Sequence, residues 1–174
     1  MSAMYEIGSI VLYERRGVYR VADVGTPSLR EDDTQLYYKL LPVFSNHNEI
    51  IYIPVDTTAF IRLLISESEV SEYLKLYTQL RPQIFASRKT TDLIAHYRDM
   101  LSSYKLEDCL LLLKELHVKQ KDLAGRNKKL GQIDMQYLQI AEKLICEEFA
   151  VVLQTTPESI KKSLHTGMRS KVSI

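Results

Sequence analysis

The feature that most limits what this chain can fold into is a change of hydrophobic period near residue 66. Upstream, apolar and β-branched residues come in short runs: SIVLYE (residues 9–14), VYRVADV (18–24), QLYYKLLPV (35–43) and EIIYIPV (49–55). In an extended chain successive side chains point to opposite faces, so each run predicts a strand with one buried face. RRG (15–17), residues 25–34 and residues 44–48 separate the runs with Gly, Pro, Asn and Asp, which suit turns. A further run, FIRLLIS (60–66), is a candidate fifth strand. Several short strands in so little chain predict a small antiparallel barrel of SH3 or Tudor type.

Downstream the period is helical. Ser66 with Glu69 three residues on has the form of a capping box. Val70, Tyr73, Leu74 and Tyr77 then share one face, and Pro82 predicts an end near Arg81. Further helices are expected over residues 91–102 and 106–122 and from Gln132 onward. A last short helix opens at Thr156-Pro157, a capping residue followed by Pro at the first helical position, and is expected to reach Leu164 with a frayed tail beyond. The expected fold class is α+β: an N-terminal small antiparallel Tudor/SH3-like β-barrel (1–65), a connecting helix (66–81) and an all-α helical C-terminal domain (82–174).

Charge divides along the same line. Residues 1–80 carry 7 Lys+Arg and 11 Asp+Glu, whereas residues 81–174 carry 16 and 11, so the halves hold −4 and +5. The basic half suits a polyanion and the acidic half something else. No run approaches the roughly 18–20 apolar residues of a membrane span, and MSAMYEIGS lacks the marks of a signal peptide. Cys109 and Cys146 sit in apolar helical patterns and are expected to be free buried thiols, as in a reducing cytoplasm.

An enzyme is not expected. His47, His96, His117 and His165 show no metal-ligand spacing, and no phosphate-binding or nucleophile motif occurs. No cofactor, metal or small-molecule substrate is therefore predicted. Cys109 reads as a core thiol, His117 as a surface imidazole, and Glu147-Glu148 as a solvated face. The basic clusters carry more information. RNKK (126–129), with Lys119 and Lys121 just before it, leads into a helix start, and SRKTT (87–91) does the same at another. Cations beside free backbone N–H groups suit phosphates, so Arg88, Lys89, Lys119, Lys121, Arg126, Lys128 and Lys129 are candidate contacts to the DNA backbone. Nothing in them reads bases. Eleven Tyr and no Trp is unusual, and six of the Tyr lie in the β half. Tyr37 and Tyr38 are adjacent and cannot both face a core, and surface Tyr is typical of interfaces.

In their order these motifs resemble the CarD family of bacterial RNA polymerase-binding transcription regulators. YEIGSIVLYERRGVYRV is similar to the family's opening, with Gly8, Val11, Tyr13 and Gly17 matching and Ser9 in place of an acid. YYKLL followed by IYIPVD resembles a strand pair ending in a Val-Pro segment, with Pro54 and Val55 matching. LISESEVSEYLKLY resembles the helix after the barrel. LGQIDMQYLQIAEKLICEEFAVV matches a late helical motif at Leu130, Asp134, Leu138, Ala141, Leu144, Glu148 and Ala150. Arg15 and Arg16 are expected to project from the hairpin turn and meet solvent or charges at a partner's rim. On EIIYIPVD, Ile51 and Ile53 share the buried face, and Ile50, Tyr52 and Pro54 the outer face, where a partner would dock. The resemblance implies that the module these residues belong to binds the RNA polymerase β subunit. It also implies a helical domain that contacts promoter DNA and stabilises the open complex. Two departures stand out. The family's wedge-forming Trp is absent, leaving Phe85 as its candidate replacement, and Tyr52 stands where many members have Arg. A protein-only adapter that binds no DNA is the alternative.

Overall fold

The computed structural model of the protein describes residues 4–26, 34–44 and 49–169. His47 and most of the loops at 25–34 and 44–48 lie outside the described residues. The chain divides into two compact units, Met1–Leu64 and Ile65–Ile174.

The first unit is a five-stranded antiparallel sheet. Its strands are β1 (Ile10–Tyr13), β2 (Gly17–Gly25), β3 (Tyr37–Pro42), β4 (Ile51–Pro54) and β5 (Ile61–Leu63), in the order β4-β3-β2-β1-β5. All four strand pairs are antiparallel. No pairing joins β4 to β5 among the described residues, so the sheet is open where a closed barrel was expected. All five apolar runs become strands, each within a few residues of its expected bounds.

The β1–β2 hairpin is set by its turn. Tyr13 faces Gly17, and the Arg16 N–H donates to the Tyr13 carbonyl at 3.0 Å. Gly17 has φ +122°, a backbone state that β-carbons oppose, which is why Gly follows the two arginines. Alternation then sorts the faces. Val11, Tyr19, Val21, Tyr38, Leu40 and Ile53 form the core, with Tyr5, Tyr13, Ile51 and Ile61 packed against it. Burial of each large apolar side chain contributes about 1.5–3 kcal/mol. Tyr38 is buried while Tyr37 is only half-buried, as two adjacent strand residues must be. The Tyr38 hydroxyl accepts the backbone N–H groups of Met4 and Tyr5 at 2.8 and 3.2 Å, and the Tyr5 hydroxyl donates to the Ile61 carbonyl at 3.0 Å. These tyrosines therefore both fill the core and tie the N-terminal segment to it.

The second unit holds α1 (Glu67–Gln79), α2 (Thr90–Leu101), α3 (Leu106–Ala124), α4 (Gln132–Leu153) and α5 (Pro157–Arg169). The predicted capping box forms: Ser66 Oγ accepts the Glu69 N–H, and Glu69 Oε1 accepts the Ser66 N–H, both at 3.2 Å. α1, read from sequence as a connector, packs against α3, α4 and α5 as part of this unit. α5 starts as expected, with Thr156 Oγ1 accepting the Ser159 N–H at 3.2 Å. It runs on past Leu164 to Arg169 where fraying was expected, because Leu164 is buried and the His165 ring packs on His117. Residues 170–174 lie outside the described residues.

α3 is buried on nearly every side. Leu110, Leu112, Leu113 and Leu116 are fully covered, and so, almost, are Lys114, Glu115, His117 and Lys119. A helix covered all round belongs at the centre of its unit. Two expectations fail here for one reason. His117 is 2% exposed rather than a surface imidazole, and Glu148 is 0% exposed rather than solvated. Each sits on the core stripe of its helix and finds polar partners there.

Candidate functional site

β4 is an edge strand, paired with β3 alone among the described residues. Its alternation turns Ile53 into the core and leaves Ile50 and Tyr52 outside, 46% and 47% exposed. Val43, at the end of the neighbouring β3, is exposed as well. The strand ends at Pro54, which has no N–H to donate, although the Val55 N–H still reaches the Leu36 carbonyl at 3.0 Å. Ile50, Tyr52 and Pro54, predicted as docking residues, are thus gathered on one edge. An exposed edge with apolar side chains is able to take a partner's strand.

The two hairpin arginines differ from the expectation that both project from the turn. Arg16 does project, and its Nη1 pairs with Glu49 Oε1 at 3.1 Å across half-exposed surface. Arg15 is half-buried, its Nε out of contact with water. Arg15 is therefore partly enclosed, as the stems of long basic side chains often are.

The predicted DNA contacts separate into three groups. Arg88 and Lys89 before α2, and Lys121, Lys128 and Lys129 around the α3–α4 turn, are exposed. Arg126 is exposed too, but its Nη2 pairs with Asp122 Oδ2 at 2.7 Å, four residues back. Lys119 is a correction. It is 8% exposed, and its ammonium lies 2.9 Å from Asp134 Oδ2, 3.1 Å from the Phe85 carbonyl and 3.4 Å from the Tyr97 hydroxyl. An ammonium this enclosed is a structural bolt, not a phosphate ligand. Asp134, in the first turn of α4, is 5% exposed and also accepts the Tyr97 hydroxyl at 2.5 Å. Burial, then the bond to Asp134, pushes the Tyr97 hydroxyl well above its usual range.

Phe85 is half-buried, and its ring stacks on His96 with centroids 4.4 Å apart and 19° between planes. His96 Nε2 lies 3.0 Å from both oxygens of the buried Glu115. The aromatic proposed as a wedge therefore has one face covered by its own unit.

A polar cluster absent from the sequence reading lies among α1, α3, α4 and α5. His117 Nδ1 is hydrogen-bonded to the Tyr77 hydroxyl, and its Nε2 lies 3.0 Å from Glu142 Oε1. Glu142 Oε2 lies 3.4 Å from the Lys161 ammonium. The His165 ring packs on His117 at a tilt of 43°, with centroids 4.4 Å apart. Donor atoms of His117, Glu142 and His165 all fall within 4.8 Å of one another. Burial alone would raise Glu142, but the His117 hydrogen bond and the nearby Lys161 outweigh it and hold the carboxyl below its usual range. Burial, reinforced by the Glu142 carboxylate, pushes the Tyr77 hydroxyl far up. Burial also raises the thiols of Cys109 and Cys146 to about 12, so both stay protonated and unreactive.

Spacing could not reveal this cluster, because its members lie 25 and 23 residues apart on three helices. The legible signal was a polar residue on an apolar stripe: His117 follows Leu110 and Leu113, and Glu142 lies between Leu138 and Ile145. Among the described residues no helix is long and apolar enough to cross a membrane. The chain matches no family model and no curated protein sequence.

Proposed function

We propose that the chain is a cytoplasmic regulator of transcription that docks on the β subunit of bacterial RNA polymerase through its N-terminal unit. Its helical unit then contacts the promoter DNA backbone and stabilises the open complex. In this reading the sheet is a Tudor- or SH3-like module. The ordered resemblance to the CarD family, from Gly8 to Ala150, suggests the reading. The observation that carries it is the edge strand β4, with Ile50 and Tyr52 on its outer face. Main-chain groups on such an edge give affinity, and the side chains beside them give specificity. No step in this function needs a catalytic residue or cofactor.

One observation favours a second reading, a protein-only adapter. Lys119 is sealed inside its unit and Arg126 is paired with Asp122, which leaves Arg88, Lys89, Lys121, Lys128 and Lys129 as the exposed cations of the set. The test has two arms. The full chain is used to pull down bacterial RNA polymerase, and it is titrated with fork-junction and plain duplex DNA across a salt series. Capture of polymerase with salt-dependent DNA binding supports the regulator. Capture without DNA binding leaves the adapter, and failure to capture polymerase removes the regulator and leaves only an adapter for another partner.

A further inference from the structure

The cluster at His117 has a composition that hydrogen bonding alone does not require: two imidazoles and a carboxylate from three helices. We propose that His117 Nε2, Glu142 and His165 form a binding site for a divalent transition-metal ion of the zinc type. The site stands apart from the transcriptional reading and braces α3, α4 and α5 in either case.

The donor set is the first support. Imidazole and carboxylate together suit Zn²⁺ and its neighbours, and two His with one Glu supply three ligands while leaving a fourth position open. Donor atoms within 4.8 Å of one another already stand near the spacing a tetrahedral ion needs. With bonds of about 2.0–2.2 Å, tetrahedral donors lie roughly 3.4 Å apart, so closure from separations of up to 4.8 Å takes a movement of at most about 1.4 Å. His165 is half-buried on the last helix, where such a movement is easiest.

The surroundings are the second support. A metal-bound histidine needs its other ring nitrogen held, which fixes the tautomer. The Tyr77 hydroxyl holds His117 Nδ1 in this way. Without metal, Nε2–H donates to Glu142 and Nδ1 accepts from Tyr77. With metal, the Nε2 lone pair binds the ion and Nδ1–H donates to the same hydroxyl, which serves in both roles. Lys161 occupies the counter-ion position beside Glu142 but is 51% exposed in its side chain, so it is able to withdraw to solvent when a cation arrives. His165 and Lys161 also line a surface pocket of about 530 Å³, together with Glu158, Lys162 and Thr166. Water completes the shell. Cys146 is not among the residues whose donor atoms converge here.

Titration of the full chain with ZnCl₂ in a non-chelating buffer tests the site. One ion per chain is expected, with no binding of Mg²⁺, which prefers an all-oxygen shell. Tyr77→Phe should weaken Zn²⁺ about 10- to 100-fold, as loss of an outer-shell partner does, and His165→Ala at least as much. Lys161→Ala should tighten it, because a competing cation is gone. Co²⁺ should give the visible absorption of a four-coordinate site without a thiolate charge-transfer band. If circular dichroism shows that His165→Ala does not fold, His165→Gln is read in its place, and the Co²⁺ spectrum of the unaltered chain decides independently. The site is refuted if the folded chain takes up no stoichiometric Zn²⁺, or if the folded His165 variant and Glu142→Gln bind it as tightly as the unaltered chain.

Discussion

The sheet unit leaves apolar side chains in water, and the helical unit takes charged ones out of it. Met4, Ile7, Val43, Ile50, Tyr52 and Leu63 are exposed in the first unit, against Ile84 in the second. Every buried charged or polar residue among those described, namely Lys114, Glu115, His117, Lys119, Asp134 and Glu148, is in the second. The contrast teaches which surface is unfinished. A buried charge costs several kcal/mol unless it is paired, and these have partners. Lys119 has Asp134, Glu115 has His96, and Glu148 Oε2 accepts the Ile65 N–H at 3.0 Å. The Lys114 ammonium lies 4.6 Å above the Tyr77 ring. The buried charges of the helical unit are thus paired from within, while the sheet unit leaves apolar side chains in water.

The sharpest way to break this contrast is to unpair one buried charge. Asp134→Ala should cost about 3–5 kcal/mol, because Lys119 would remain buried without its carboxylate. Denaturant unfolding of the full chain measures it. Replacing the pair together, as Lys119→Met with Asp134→Leu, should restore most of the loss. A mild single mutant would mean that Lys119 reaches solvent after all.

The exposed cations come next. If about four of them neutralise phosphates, log affinity for DNA should fall against log salt with a slope near −3.6. Replacing Arg126, Lys128 and Lys129 by Ala should flatten that slope by about two units, since Arg126 already has Asp122. All DNA sequences should weaken alike. A slope unchanged in the triple variant assigns the contacts to other residues.

At the sheet edge, Tyr52→Ala should weaken polymerase binding by about 1–2 kcal/mol, as loss of an interface anchor does. Stability should move by less than about 0.5 kcal/mol, because the side chain is half in water. Unchanged affinity in a folded variant would place the docking surface elsewhere.

Tyr97 predicts a pH effect with a definite sign. Its folded pKa is raised, chiefly by burial and then by Asp134. The folded state therefore keeps a proton that the unfolded chain releases above about pH 10. Its contribution to stability is complete below that pH and declines as pH rises further. Tyr97→Phe should shallow the alkaline decline in a series of denaturation midpoints, and an unaltered decline would assign it to other groups.

The smallest effect is expected at the hairpin turn. Arg16→Ala removes an exposed ion pair with Glu49 and should change stability by no more than about 0.5 kcal/mol. A larger loss would show that the Arg16–Glu49 pair holds the hairpin together with Gly17.

Local order was legible in the sequence because local order is encoded locally. Alternation marked all five strands, the Ser66 and Thr156 caps opened α1 and α5 where they stand, and Gly17 marked the hairpin turn. Alternation alone also put Tyr52 outside and Ile53 inside. What the sequence could not decide is which charged residues leave water. Lys119 looked like one more cation in a basic run, yet it is buried because Asp134, Tyr97 and the Phe85 carbonyl arrive from other segments to meet it. His117, Glu142 and His165 share no spacing, and only the packing of three helices brings them together. Openness of the sheet is likewise a property of how its end strands meet, which no single strand records. Periodicity tells a helix which face to bury; the partner that makes burying a charge affordable comes from elsewhere in the chain, and only the tertiary structure supplies it.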